Sequence, residues 1–239
     1  MTAEDGAPRR FLIVNPNSNP AVTAQISATA IRVLAPDCHA DVVEAPDSPF
    51  AIESSWDRII AEPSVVALLR DSPGYDAYVM ACFDDIAVAQ ARLFLDVPII
   101  DAVTASVALA GQGGRRFAIV TTVATMVPGI ETLLATLGVD DACTVLAADI
   151  RVAEAAAGDP DAMLRLDDTI LRARNDHGAT AVVLGSGGLT GHAQRLSHVH
   201  GLRVIDCIEA AIAAAEDQSR GDASSDKNRD RSSAGTSRG

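Results

Sequence analysis

Short apolar runs alternate along the chain with longer segments in which apolar residues recur at helical spacing. The first run, Phe11–Val14, is suited to a buried strand and leads into small polar residues. Asn19 then provides a helix N-cap, and Pro20 fits the first helical turn. The apolar residues that follow are spaced for one helical face, namely Val22, Ile26, Ile31 and Val33. The pattern therefore begins with a strand and a helix.

The chain contains an internal sequence repeat. Three segments of the first half return in the same order in the second half, displaced by 104 to 106 residues. The pairs are Arg9–Pro20 with Arg115–Pro128, Ala77–Cys82 with Ala181–Ser186, and Val97–Ala110 with Leu202–Ala215. One such pair would be weak evidence because buried strands resemble one another. Three pairs together indicate internal duplication of a β-α-β-α unit.

Strands that alternate with helices predict an α/β fold with parallel sheets. We expect two pseudo-symmetric lobes, each a mostly parallel sheet flanked by helices, with the active site in the cleft between them. The first lobe is predicted over residues 9–112, joined by a C-terminal helix over 206–216, and the second over 113–205. Residues 217–239 contain no Leu, Ile, Val or aromatic residue, which predicts a disordered tail.

Composition and charge argue against several kinds of binding partner and cellular location. The 239-residue chain has a formal net charge of −13 and a pI near 4.6, which argues against nucleic acid or an anionic membrane surface as a partner. No apolar run is long enough to span a bilayer, and the polar N-terminus does not resemble a secretory signal. The four cysteines lie far apart, without a zinc motif or a disulfide pattern. We therefore expect a cytoplasmic protein with reduced thiols and no metal site.

Candidate binding residues cluster where the predicted strands end. In open parallel sheets, ligands bind beyond the carboxyl ends of the strands. The residues predicted there are Asn15, Asn17, Ser18, Cys82, Phe83, Asp84, Thr121, Thr122, Gly185, Ser186, Gly187 and Gly188. A pseudo-twofold axis would turn the two edges towards each other, so Cys82 and Ser186 are predicted to approach one ligand from opposite sides. Asn15 and Asn17 are equally suited to holding the first strand–helix turn.

Six segments resemble the hydantoin racemases, which belong to the aspartate/glutamate racemase superfamily together with the allantoin racemases. They are VNPNSN from Val14, AIE from Ala51, ACFDD from Ala81, RRFAIVTT from Arg115, VVLGSGGL from Val182 and VIDCIEAA from Val204. The resemblance covers about residues 9–215. It implies a cofactor-independent site in which a cysteine from each lobe faces one side of the substrate's acidic carbon. It also implies a small-molecule substrate and a homo-oligomer.

The second-lobe position departs from that pattern. Cys82 takes the place of the first cysteine, but residue 186 is Ser, and a hydroxyl is a far weaker acid than a thiol. Ser186 is either an engineered replacement of a natural Cys or part of a racemase with unequal faces. A third interpretation is a one-cysteine isomerase or decarboxylase of a small dicarboxylate. A ligand-binding relic without turnover is the non-enzymatic alternative.

Several other polar residues have structural interpretations. Asp101 and Asp206 occupy matched positions and are predicted to cap the helices that follow them. Cys207 follows the last predicted strand and is interpreted as core filler. His200 is expected at the surface, and Glu53 is expected to order a loop over the pocket.

Overall fold

The computed structural model describes residues 7–234, with side chains for residues 7–220. Its first half contains β1 (Arg9–Asn15), α1 (Pro20–Val33), β2 (Cys38–Glu44), α2 (Ser55–Asp71), β3 (Ala77–Met80), α3 (Val88–Ala91), β4 (Ile99–Asp101) and α4 (Ala102–Ala110). Its second half contains β5 (Phe117–Thr121), α5 (Val127–Leu137), β6 (Cys143–Ala147), α6 (Val152–Ala157), α7 (Pro160–Asn175), β7 (Ala181–Leu184), α8 (Ala193–His200), β8 (Arg203–Asp206) and α9 (Cys207–Ala234). Strands and helices thus alternate as predicted, except that two helices, α6 and α7, lie between β6 and β7.

The strands form two four-stranded parallel sheets of identical topology, ordered β2-β1-β3-β4 and β6-β5-β7-β8. The register agrees as well, because Phe11 pairs with Ala77 in the first sheet and Phe117 pairs with Ala181 in the second. Repeated sequence segments therefore occupy repeated positions. The duplication and the two-lobed α/β fold are both confirmed.

The two lobes share one apolar core. A single cluster of buried side chains contains Ile13 and Val79 from the first sheet, Ile119 and Val183 from the second, and Ile208 from α9. Helix α4 contacts β7 and β8 of the second sheet, while α9 contacts β3 and β4 of the first sheet. Each helix thus reaches the sheet of the other lobe, and this reciprocal packing holds the strand ends of both lobes in one frame.

The first helix confirms its predicted start and corrects its predicted face. The Asn19 side chain accepts a hydrogen bond from the Ala21 N–H at 3.0 Å, and Pro20 occupies the first helical position. Val22 and Ile26 are buried, but Ile31 is 83% exposed. The prediction that Ile31 lies on the buried face was wrong, because the buried face of α1 includes the small residue Ala30 instead.

The last helix, α9, continues to Ala234, beyond the predicted C-terminal helix over 206–216. The start of the segment after Asp217 is anchored to the first lobe. The Arg9 guanidinium donates to the Glu216 carbonyl and to the Ser219 hydroxyl, each at 3.1 Å. The composition of this segment shows that it has little apolar surface, but it does not reveal these hydrogen bonds to Arg9. The segment also contains no proline, a residue that breaks helices. Residues 235–239 lie outside the described residues.

Within residues 7–234, none of the helices combines the length and the apolar character needed to cross a membrane.

Candidate active site

Cys82 and Ser186 occupy matched turns that pack directly against each other. Each lies two residues beyond the end of an inner strand, β3 for Cys82 and β7 for Ser186. A Cβ atom added to Gly187 would lie 3.1 Å from the carbonyl oxygen of Ala81. A Cβ atom on Gly185 would lie 2.6 Å from Ile119 Cγ2. The glycines on either side of Ser186 therefore leave room for this close approach of the two turns.

Phe83 fills the space that the missing side chain at Gly185 leaves. Its ring carbon Cδ1 would lie 3.2 Å from a Cβ atom at that position, and Phe83 itself is buried. The bulky residue beside Cys82 thus meets a glycine beside Ser186. The two lobes interlock at the predicted site.

The environment of Cys82 disfavours a resting thiolate. Burial raises the pKa of the half-buried Cys82 thiol, and the charge of Asp84 raises it further. The Arg58 guanidinium and the backbone N–H of Phe83 oppose this shift in the pKa. The burial cost dominates because a charged sulfur loses its hydration there. The resting site therefore holds a neutral thiol, which would be a strong base once deprotonated.

Asp84 and Asp85 form a charged cluster with Arg58, which reaches them from α2. The Arg58 Nε atom lies 3.2 Å from Asp84 Oδ1, and its Nη2 atom lies 2.5 Å from Asp85 Oδ1. Burial nevertheless raises the pKa of Asp84 to about 6, because desolvation outweighs the attraction of the guanidinium. The neighbouring Asp85 also raises the pKa of Asp84.

Ser186 is buried and caps a short 3-10 turn. Its hydroxyl oxygen accepts a hydrogen bond from the Gly188 N–H at 3.3 Å. A full α-helix does not follow at once, since α8 begins only at Ala193. The hydroxyl is thus held by the backbone of its own turn.

Cys207 lies next to this turn and belongs to the shared apolar core, as its interpretation as core filler predicts. Its thiol is fully buried, and the backbone N–H of Ser186 acts to lower its pKa. Burial raises the pKa of Cys207 well above the ordinary thiol value, and the charges of Asp206 and Cys82 raise it further. The structure therefore brings a second thiol into the electrostatic environment of Cys82. The available signal was its position at the end of β8, the neighbour of β7.

Asp206 anchors the other end of the Ser186 turn. Its carboxylate accepts hydrogen bonds from the Thr190 hydroxyl at 2.8 Å and from the Gly191 N–H at 2.7 Å. It also accepts from the Ile208 N–H at 2.9 Å, so the predicted capping of α9 is confirmed. Asp101 caps α4 in the matched position, where the Thr104 N–H donates to it at 2.7 Å. Asp206 thus adds a contact to the site that its counterpart does not make.

Asn15 and Asn17 hold the first strand–helix turn. The Asn15 amide nitrogen donates to Asn17 Oδ1 and to the Thr23 hydroxyl, each at 3.1 Å, and Asn17 Oδ1 also accepts from the Asn19 N–H at 3.0 Å. The Ser18 hydroxyl donates to the Ser48 carbonyl at 2.8 Å, which fixes the loop after β2. These contacts give a structural role to all three, and contact with a substrate stays a prediction.

Thr121 and Thr122 end β5 at the same edge of the second sheet. Both are buried, and their backbone carbonyls accept from the Ala148 N–H at 2.9 Å and the Ile150 N–H at 3.0 Å. Among the described residues, neither hydroxyl has a hydrogen-bond partner. Contact of either side chain with a ligand at this edge stays a prediction.

A cavity of about 650 Å³ adjoins the Cys82 turn. It lies between α2 and α5, with Phe83 and Asp84 on one side and Met126 and Leu133 on the other. Arg58 contributes a positive charge to its wall. The cavity therefore combines an apolar wall with a few polar groups, which is usual for small-molecule sites.

Asp37, Cys38 and Glu216 form a group of potential metal ligands far from this edge, within 4.8 Å of one another. The Arg9 guanidinium lies 3.1 Å from Asp37 Oδ2 and 3.1 Å from Cys38 Sγ. It also lies 3.8 Å from Glu216 Oε1. The guanidinium thus supplies the positive charge that a metal ion would bring.

His200 corrects its predicted surface position. It is buried, and its Nε2 atom lies 2.8 Å from Asp167 Oδ1. The partner comes from α7, 33 residues earlier, so spacing along the chain gave no sign of it.

The comparisons with known proteins agree with this geometry. A model of the family Asp/Glu/Hydantoin racemase matches residues 11–215. The chain belongs to this family. A hydantoin racemase of Rhizobium meliloti is 36% identical over 208 residues, which are 85% of this chain and 86% of that protein.

Solved structures give the same result. An allantoin racemase from Klebsiella pneumoniae is 32% identical with a TM-score of 0.83, and the match covers 87% of this chain and 86% of that one. An allantoin racemase from Pseudomonas fluorescens is 27% identical with a TM-score of 0.82, over 88% and 91% of the two chains. Family membership makes this chain an isomerase of the racemase class, as the resemblance predicted.

Proposed function

We propose that this racemase is cofactor-independent and acts by proton transfer at the acidic carbon of a hydantoin-like or amino-acid-derived small molecule. The observation that carries the proposal is the direct packing of the Cys82 turn against the Ser186 turn. A hydantoin racemase and allantoin racemases as relatives support the hydantoin or allantoin class of substrate. The reaction needs one base and one proton donor on opposite faces of a planar carbanion.

Cys82 is the principal acid/base group in this proposal. Substrate binding brings the carbon–hydrogen bond to the sulfur. The thiol first loses its own proton to solvent, and the resulting thiolate then removes the substrate proton to leave a carbanion conjugated with the adjacent carbonyl. Because burial raises the pKa of Cys82, its thiolate is a stronger base than an exposed one. Backbone N–H groups in the two turns are suited to holding the developing oxyanion.

Ser186 faces the opposite side in this proposal. Its hydroxyl hydrogen-bonds a solvent molecule, which delivers a proton to the carbanion and completes inversion. A hydroxyl relays protons less readily than a thiol, so the two directions of racemisation are expected to differ in rate. Thr121 and Thr122 are proposed to bind the substrate's polar atoms from the end of β5.

A one-thiol reaction is the second candidate. The observation in its favour is that one of the two matched turns carries a hydroxyl in place of a thiol. A cis–trans isomerase or a decarboxylase of a small dicarboxylate would require only Cys82. These reactions predict turnover of a dicarboxylate and no proton exchange on hydantoins.

Proton exchange in deuterated water separates these alternatives. Each enantiomer of 5-methylhydantoin and of allantoin is followed by NMR for deuterium uptake and by optical rotation for inversion, with the wild-type chain beside Ser186→Cys. Racemisation by the wild-type chain supports a racemase with unequal faces. Exchange without inversion that becomes racemisation in Ser186→Cys identifies a one-face base. Absence of exchange in both proteins rejects the hydantoin class, and maleate and arylmalonate are then assayed for the second candidate.

We also propose a homo-oligomer that works in the cytoplasm. The α2 residues Trp56 and Ile59 are 66% and 57% exposed, which suits burial against a second copy. The four free cysteines fit a reducing compartment. Light scattering of the purified chain measures the oligomeric state, and a monomer at micromolar concentration would contradict this part of the proposal.

A further inference from the structure

The loop between β2 and α2 crosses from the first lobe to the second at Glu53. The Glu53 carboxylate oxygen Oε1 accepts a hydrogen bond from the backbone N–H of Val152 at 2.8 Å. The Glu53 carbonyl accepts from the Thr125 hydroxyl at 2.5 Å. Glu53 of the first lobe is thus hydrogen-bonded both to the start of α6 and to the segment that leads into α5.

The first bond satisfies a backbone group that α6 cannot satisfy itself. Val152 is the first residue of α6, and the N–H groups of the first helical turn have no partner within the helix. Glu154 accepts only the preceding N–H, that of Arg151, at 3.0 Å. Glu53 therefore completes the N-terminus of α6 from the other lobe, with a negative charge where the helix dipole favours one.

Val152 in turn supports the turn that carries Ser186. A Cβ atom on Gly188 would lie 2.9 Å from the Val152 carbonyl oxygen and 3.1 Å from Val152 Cγ1. The Gly188 N–H donates to the Ser186 hydroxyl at 3.3 Å. The position of the Ser186 hydroxyl therefore depends on Gly188. Gly188 packs against Val152, and the Val152 N–H is hydrogen-bonded to Glu53.

Cys82 is held by other contacts. It follows β3, and the turn after it is tied to α2 through Arg58 and the Asp84 and Asp85 carboxylates. A disturbance at Val152 reaches Ser186 through a single glycine. The same disturbance would reach Cys82 only through a further contact, the one between Gly187 and the carbonyl oxygen of Ala81.

We propose that Glu53 is a positioning residue for the second face of the reaction, acting on Ser186 through Val152 and Gly188. The inference rests on the proposed function for its kinetic consequence. Removal of the carboxylate slows proton delivery at the Ser186 face and leaves proton removal by Cys82 largely intact. Deuterium uptake and inversion, which report the two faces separately, then respond differently to the same substitution.

The test compares Glu53→Ala with Glu53→Gln and with the matched control Glu154→Ala. The control removes the other side chain that accepts from the start of α6, but it leaves the interlobe bond in place. In Glu53→Ala we expect racemisation of 5-methylhydantoin to fall about tenfold in kcat, while deuterium uptake by the enantiomer that Cys82 deprotonates falls less than about threefold. Glu53→Gln keeps a carbonyl acceptor and is expected to recover most of the loss. Glu154→Ala is expected to keep the wild-type ratio of uptake to inversion.

Amide hydrogen exchange gives a readout that does not depend on any substrate. The Gly188 and Val152 amides are expected to exchange about tenfold faster in Glu53→Ala than in the wild-type chain, with Gly188 unchanged in Glu154→Ala. Equal losses of uptake and inversion, or the same Gly188 exchange rate in all four proteins, would overturn the inference. If the wild-type chain racemises neither hydantoin nor allantoin, the proposed function fails, and amide exchange alone still decides whether Glu53 supports the Ser186 turn.

Discussion

The turn after β3 and the turn after β7 occupy the same place in two copies of one fold, but one turn carries charged residues and the other is rich in glycine. The first carries Cys82 and two carboxylates that are paired with Arg58. The second carries Ser186 between glycines and is anchored by Asp206 through Thr190. Duplication has kept the strand frame and changed the chemistry at its ends.

The difference is complementary, because each turn supplies what the other lacks. Phe83 is large where Gly185 has no side chain, and Gly187 makes room for the Ala81 carbonyl. Packed interiors tolerate neither overlap nor voids, so the large residue of one turn faces a glycine of the other.

The largest expected effect comes from the first turn. Cys82→Ala removes the proposed base, and we expect racemisation and deuterium uptake both to fall by about 10²- to 10⁴-fold. Cys143→Ala is the matched control, since Cys143 is also a half-buried thiol but begins β6 at the opposite edge of its sheet. Deuterium uptake followed by NMR measures both variants. Wild-type uptake in Cys82→Ala would assign proton removal to another group, with Cys207 the nearest thiol to examine.

The interlock predicts a smaller effect, on stability. Gly185→Ala places a methyl group 2.6 Å from Ile119 Cγ2 and against Phe83, and we expect the free energy of unfolding to fall by about 2–3 kcal/mol. Gly129→Ala is the control, because nothing lies within 4 Å of a Cβ atom there and the residue lies in α5. Alanine favours a helix over glycine, so this control is expected to be neutral or slightly stabilising. Urea unfolding compares the two, and equal stability would mean that the turns do not interlock in solution.

The charges of the first turn predict an effect that is seen only when the pH is changed, a dependence of stability on pH. The pKa of Asp84 is raised to about 6, so the folded state resists its ionisation while the unfolded chain ionises near pH 4. The stability linked to this group is therefore complete below about pH 4 and is lost as pH rises through about 6, by about 3 kcal/mol. Asp84→Asn cannot ionise and is expected to lack this decline.

Unfolding of the wild-type chain and of Asp84→Asn at pH 4 and at pH 7 measures this difference. Asp168→Asn serves as the control because Asp168 is exposed on α7. Parallel pH profiles for the wild-type chain and Asp84→Asn would place the titration on another group.

Much of this arrangement could be predicted from patterns along the chain. Strand, turn and helix depend on residues close in sequence, so the run Phe11–Val14, the Asn19 cap and the repeated segments were sufficient to predict the fold. The positions of Cys82 and Ser186 followed, because strand ends of a parallel sheet meet at one edge. Among the described residues, Ile31 departed from the expected buried face of α1, and α9 extends beyond the helix expected over 206–216.

Sequence by itself therefore determined the two lobes, the duplicated frame and the edge at which chemistry is expected. Tertiary structure alone decided that Cys207 lies beside the Ser186 turn, that Arg58 faces Asp84, and that Glu53 accepts a hydrogen bond from the first residue of α6. The reason is physical. Apolar spacing and helix caps act within a few residues, whereas these partners come from different elements and meet only when the shared core has fixed how the two sheets lie together.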